Sequence, residues 1–208
     1  MANSTLTTPD SRPLRIALIG AGRHAQHHAR AILRCPGVQL VAVADPSDAA
    51  QAAMRDIVPG IGCFKTPEEL FASERLNVVH IITPPASHAP LARMAIKAGC
   101  HIYVEKPFTE SVEDAQQILD EASAKGLRVC AGHQLLYEPP TRVLTQYLPS
   151  IGRAVHVERY FSFRTVRHAP GGRKVLRADH QLLDILPHPV YLLLQVLEQA
   201  GEGRTELL

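Results

Sequence analysis

The stretch Arg15-Ile-Ala-Leu-Ile-Gly20-Ala-Gly22-Arg-His-Ala25 constrains the fold of this chain more than any other. An apolar run passes straight into Gly-x-Gly-x-x-Ala, and a helical pattern follows at once. A second apolar run, Val38 to Ala44, then ends on Asp45. Strand, glycine turn, helix, second strand and terminal acid form the layout of a dinucleotide-binding βαβ unit. Gly20 permits the tight turn. Gly22 lets the backbone approach a pyrophosphate with no Cβ in the way. The opening residues of the helix, Arg23 and His24, present their amides to the phosphates, where the helix dipole favours negative charge. Asp45 is placed to accept hydrogen bonds from both hydroxyls of an adenosine ribose. It would also repel a 2′-phosphate, so NAD is expected over NADP. Glycine turns also join ordinary strands and helices, and S-adenosylmethionine enzymes can end a second strand on an acid. The fingerprint alone therefore does not establish redox chemistry.

Composition narrows the remaining classes. Of 208 residues, 46% are hydrophobic and 20% charged, as in an ordinary globular protein. The 22 basic and 20 acidic residues nearly balance, with no basic tract interleaved with aromatics, which argues against nucleic acid as a partner. No apolar run approaches the ~18 residues needed to span a membrane. Met1 to Arg12 is polar, lacks an apolar signal core and reads as a loose tail. Cys35, Cys63, Cys100 and Cys130 are scattered with no Cys-x-x-Cys pair, consistent with a reducing cytoplasm.

Strand and helix signals alternate up to about Gly132, predicting an α/β fold with a doubly wound parallel sheet over residues 13–132. Strands are expected at Leu14–Ile19, Val38–Ala44, Ile61–Phe64, Val78–Ile82, Ile102–Val104 and Arg128–Ala131. Helices are expected at Arg23–Arg34, Ser47–Asp56, Pro67–Phe71, His88–Ala98, Val112–Lys125 and Pro139–Tyr147. Ser111 and Asp114 suggest a capping box, and Gly99 and Gly126 suit helix ends. Residues 133–208 read as a shorter α+β domain. It would carry one strand, Val155–Phe163, a basic loop over Thr165–Asp179 and a final apolar helix from Pro189 to Leu197.

Three clusters besides the glycine turn can carry chemistry. Thr83-Pro84-Pro85 follows the fourth strand, with His88 opening the next helix. Glu105-Lys106-Pro107 follows the fifth. Asp184 and His188 lie four apart near the last helix. Ligands of open parallel sheets bind outside the carboxyl ends of the strands, where the first two clusters fall. That makes Thr83, Pro84, His88, Glu105 and Lys106 candidate cofactor contacts beside Gly20 and Gly22. A lysine held away from bulk water can take part in proton transfer, and a histidine can serve as acid or base. Asp184 could orient His188 or bind a substrate hydroxyl. His24, His27 and His28 share one short helix, but no carboxylate or cysteine cluster accompanies them, so no metal is expected. They read instead as an ordinary helix face near the phosphates. His80, inside an apolar strand, reads as a core histidine.

Together these residues resemble the glucose–fructose oxidoreductase, inositol dehydrogenase and MocA family. The resemblance covers nearly the whole chain. It rests on Gly20-Ala-Gly22-Arg-His-Ala25, Ala42-Val-Ala-Asp45, Ile82-Thr-Pro-Pro-Ala-Ser-His88, Val104-Glu-Lys-Pro107 and Asp184-x-x-x-His188. It implies a Rossmann domain followed by an α/β domain with a large open sheet. It implies oxidation or reduction of a sugar or cyclitol hydroxyl with NAD or NADP, and a cis bond between Lys106 and Pro107. Lys106, Asp184 and His188 would carry proton transfer and substrate positioning.

The sequence departs from that pattern in two places. Pro187 and Pro189 flank His188, so Asp184 and His188 need not share a helix face. The chain also ends soon after His188, with only one strand of the expected second sheet. A lone strand leaves unpaired edges, so pairing with a second copy in a homodimer or larger assembly is expected. A non-catalytic dinucleotide-binding or interaction protein is the competing reading, and a methyltransferase the third. A short-chain dehydrogenase does not fit, because Tyr103 and Lys106 are three apart rather than four.

Overall fold

The structure is a computed structural model that describes residues 12–151, 156–158, 160 and 185–199. The chain divides into two compact units, Met1–Ala131 and Gly132–Leu208. In the first, β1 (Leu14–Ile19), β2 (Val38–Ala44), β3 (Gly62–Phe64), β4 (Val78–Ile81), β5 (His101–Val104) and β6 (Val129–Ala131) form one sheet in the order β3-β2-β1-β4-β5-β6. Every pairing is parallel. The order reverses at β1, which creates the crevice where doubly wound sheets hold ligands.

Strand alternation explains the two cores. Ile16 and Leu18 of β1 point to one face, Ala17 and Ile19 to the other. On the first face α1 (Arg23–Ile32) and α2 (Asp48–Ile57) bury Ala25, Ala29, Ile32 and Met54. On the second, α3 (Pro67–Ser73), α4 (His88–Lys97) and α5 (Val112–Ala124) bury Leu70, Ala92, Ala95, Ile96, Ile118 and Ala122. Val79 and Ile81 of β4, and Ile102 and Val104 of β5, also belong to the second core. The intervening residues, His80 and Tyr103, therefore face the α1 side, and register sets them side by side.

The sequence pattern and the structure differ mainly at element ends. α3 runs two residues past its expected end. Thr66 and Glu69 cap its start reciprocally and Leu70 is fully buried. At α5 the Ser111 side chain accepts from the Asp114 amide at 3.0 Å, which is the forward half of the expected capping box.

In the second unit α6 (Pro139–Tyr147) has its expected bounds, and the last helix, α7, spans Pro187–Gln199. Both of its early prolines sit in the first turn, where no helical amide bond is lost. The expected strand Val155–Phe163 lies largely outside the described residues; His156–Glu158 and Tyr160, which are described, form no strand. Asp184 and the basic loop lie outside them too. No helix among the described residues is long and apolar enough to cross a membrane.

Candidate active site

Four turns meet at the carboxyl edge of β2, β1, β4 and β5. Backbone bonds carry the sheet ladder into them: Gly20 N donates to Ala44 O at 2.8 Å, Ile82 N to Ile19 O at 2.8 Å and Glu105 N to Ile81 O at 3.0 Å. Gly20 has φ +98, and a Cβ there would lie 2.6 Å from Ile82 O. Only glycine lets β1 turn this close to β4. A Cβ on Gly22 would meet nothing within 4 Å. Gly22 is the N-cap of α1, no side chain caps the helix, and its first turn carries no acid. The leading amides of α1 thus open toward free space beside exposed Arg23 and His24.

Asp45 closes the other side of this cradle. Its Oδ2 accepts from the Ala21 amide at 2.7 Å and its Oδ1 from the Ser47 amide at 2.8 Å. Each carboxylate oxygen keeps a second acceptor site. Cradle, uncapped helix and oriented carboxylate fit the pyrophosphate and ribose of an adenine dinucleotide. Gly20–His24 would hold the phosphates and Asp45 the ribose.

His88 is placed differently from its expected role beside a cofactor. It is only 1% exposed. Its Nδ1 lies 2.8 Å from Pro107 O and its Nε2 2.8 Å from Thr83 O. It therefore ties the turn after β4 to the turn after β5 and has no surface for a ligand. Thr83 Oγ1 accepts from Ser87 Oγ at 2.7 Å, and Pro84 is exposed at the tip of that turn.

Lys106 lies two residues past the end of β5, is half-buried, and precedes a cis bond to Pro107. Glu105 Oε2 accepts from the Lys106 amide at 3.2 Å, and Oε1 accepts from His28 Nε2 at 2.9 Å. Its carboxylate is thus turned toward α1. Burial pushes the Glu105 carboxyl up, but His28, the Lys106 amide and the charge of His24 hold it below the usual carboxylate range. His28 Nδ1 lies 3.1 Å from His80 Nδ1. His80 stacks on Tyr103 with ring centroids 4.8 Å apart. Burial, then the charge of His28, push the His80 imidazole down to about 4, against the pull of Glu105. It is neutral at physiological pH.

In the second unit His188 is buried in the first turn of α7, and its Nδ1 lies 2.7 Å from the Tyr191 hydroxyl. The Leu135 amide donates to the same oxygen at 3.4 Å, and His133 stacks on the Tyr191 ring at 4.3 Å. Burial and the charge of His188 lower the His133 imidazole. The Tyr191 hydroxyl thus links the Leu135 amide to the His188 ring.

The first unit thus brings together Gly20, Gly22, Arg23, His24, Asp45, Thr83, Pro84, Glu105 and Lys106 at one sheet edge. Two side chains that bond these candidates escaped the sequence, His28 in the first unit and Tyr191 in the second. Ala25, His28, Ala29 and Ile32 follow i, i+3, i+4, i+7 spacing, which marks His28 as inward-facing. Tyr191 lies one turn after His188. Among the described residues no three His, Cys, Asp or Glu side chains cluster as a metal site.

Residues 14–133, more than half of the chain, match the model of an oxidoreductase family with an NAD-binding Rossmann fold. The chain belongs to that class. Its family is the one named for glucose–fructose oxidoreductase, inositol dehydrogenase and MocA. Inositol 2-dehydrogenase of Agrobacterium fabrum (strain C58) is 36% identical over 118 residues, 56% of this chain and 35% of that protein. The scyllo-inositol 2-dehydrogenase (NAD(+)) of Bacillus subtilis (strain 168) is 26% identical over 201 residues, 92% of this chain and 57% of that one. A crystal structure of GenD2 from gentamicin A biosynthesis, in complex with NAD, superposes with TM-score 0.63 at 27% identity, covering 66% of this chain and 39% of that one. The chain spans between about a third and three fifths of the length of the curated relatives it matches.

Proposed function

We propose that this chain works in an NAD-dependent dehydrogenase that oxidises a sugar or cyclitol carbinol, or reduces the matching carbonyl. The observation that carries this is the position of Lys106. It sits on the turn after β5, at the same sheet edge as the glycine cradle. The names of the relatives, inositol 2-dehydrogenases among them, support the substrate class. Asp45 supports NAD over NADP, because a 2′-phosphate at the ribose would meet its carboxylate.

When bound, the nicotinamide accepts the hydride. The chain's own residues must handle the proton. Loss of a hydride from a carbinol carbon gives a neutral carbonyl only if the hydroxyl proton also leaves. The Lys106 amine takes that proton in oxidation and returns it in reduction. His188 is the second proton carrier in this scheme. Tyr191 fixes its ring, and Asp184 keeps its expected role of orienting it or the substrate. Exposed Val143, Tyr147 and Ile151 in the second unit support assembly with a second copy.

The test is NADH formation from NAD against a panel of sugars, cyclitols and uronates. The Lys106→Met variant should bind NADH as the wild type does, yet turn over about two to four orders of magnitude more slowly. Unchanged turnover would remove Lys106 from the chemistry. NADH binding with no turnover on any substrate would favour a dinucleotide-binding protein without catalysis.

A further inference from the structure

His28 is a helical residue with both ring nitrogens engaged across the fold. It bridges α1, whose N-terminus opens the phosphate cradle, and Glu105, the residue just before Lys106. The Glu105 carboxylate is used from both sides, by His28 Nε2 at 2.9 Å and by the Lys106 amide at 3.2 Å. Such a carboxylate fixes the peptide plane from which the Lys106 side chain departs. The His28 ring is itself held. His80 Nδ1 sits 3.1 Å from its Nδ1, and Tyr103 packs edge-on with ring centroids 5.1 Å apart. Glu105 accepts only, so His28 Nε2 carries a proton whatever happens at Nδ1.

We propose that His28 is the positioning residue for Lys106, acting through Glu105, so that the phosphate-facing helix and the proton-transfer turn are held as one body. This rests on the reading of Lys106 as the proton-transfer group. It gives the acidic residue of Glu105-Lys106-Pro107 a task other than contact with a ligand. It also explains why two histidines and a tyrosine occupy a face otherwise filled by Ile16, Leu18 and Val43. An apolar trio there could not anchor a carboxylate. The arrangement couples the two ends of the cofactor cradle through one hydrogen-bonded chain, from α1 to Lys106.

Competitive trace acetylation of the folded chain reads the turn without needing a substrate. Lys106 labelling is measured by peptide mass spectrometry relative to exposed Lys97. In His28→Ala the relative labelling of Lys106 should rise about threefold or more, the net scale of losing one intramolecular hydrogen bond that holds the turn. His28→Gln, which still presents a donor where Nε2 lies, should restore the wild-type value. Glu105→Ala should match His28→Ala, and the double variant should go no further. A general loosening would raise Lys65 and Lys125 as well, and these should not move. Unchanged Lys106 labelling in His28→Ala, failure of Gln to rescue, or multiplying effects in the double variant would each overturn the proposal. NADH titration of the wild type runs beside it. Absence of binding there would strike the proposed function and leave the labelling result standing.

Discussion

His80 should make this fold lose stability between about pH 6.5 and pH 4, and replacing it by phenylalanine should remove that loss. The folded imidazole is pushed down to about 4 by burial and by His28, whereas the unfolded one titrates near 6.5. Between those values the unfolded chain binds a proton that the folded chain does not. Stability therefore falls as pH falls through this window and levels off below the folded value. At roughly 1.4 kcal/mol per pH unit per proton, the full span is on the order of 3 kcal/mol. His80 keeps partial exposure, which trims this to about 2 kcal/mol. His80→Phe still stacks on Tyr103 and carries no proton. Glu105 works lower down. Its carboxyl is depressed, so its contribution is present above its unfolded value and is lost as pH falls through its folded one. His133 shifts the same way as His80, but it is present in both proteins and cancels in the comparison. The chain has no Trp, so urea unfolding is best followed by far-ultraviolet circular dichroism. Going from about pH 7 to about pH 4.5, the wild type should lose about 2 kcal/mol more than His80→Phe. Equal losses would refute the buried, neutral state of His80.

Two further outcomes follow from the cradle. Gly20→Ala must fit a Cβ 2.6 Å from Ile82 O at φ +98, so it should lose about 2–4 kcal/mol in urea unfolding; a loss under about 1 kcal/mol would mean the β1–β4 approach is looser than described. Asp45→Ala should weaken NADH binding about tenfold and narrow the preference over NADPH, as calorimetric titration would show, since a lost charge-assisted bond to a ribose hydroxyl is of that scale. Unaltered selectivity would remove Asp45 from ribose recognition.

Much of the first unit was legible because its signals are local. The run Leu14–Ile19, the glycines and the acid after Ala44 each act within a few residues, and β1 and β2 have the expected bounds. Lys106 and Thr83 were read as site candidates the same way, from their distance past a strand end. What the sequence did not show has non-local causes. His88 looked like a ligand contact because it opens a helix beside the site. Only the fold shows Thr83 O and Pro107 O closing on its two nitrogens. The pairing of His80 with Tyr103 depends on the register of β4 against β5, which sequence spacing does not set. Glu105 looked like a cofactor contact, and its turn toward α1 depends on a histidine 77 residues away. His28 could have been found from its spacing with Ala25 and Ala29, but it was grouped with His24 and His27 as one helix face near the phosphates.

The most direct measurement is calorimetric titration of the wild-type chain with NADH and, separately, NADPH. One saturable NADH site per chain is predicted, with NADPH at least about tenfold weaker because its 2′-phosphate meets Asp45. Tighter NADPH binding would contradict the role of Asp45. No binding of either nucleotide at millimolar concentration would contradict the assignment of the Gly20–His24 cradle as the cofactor site.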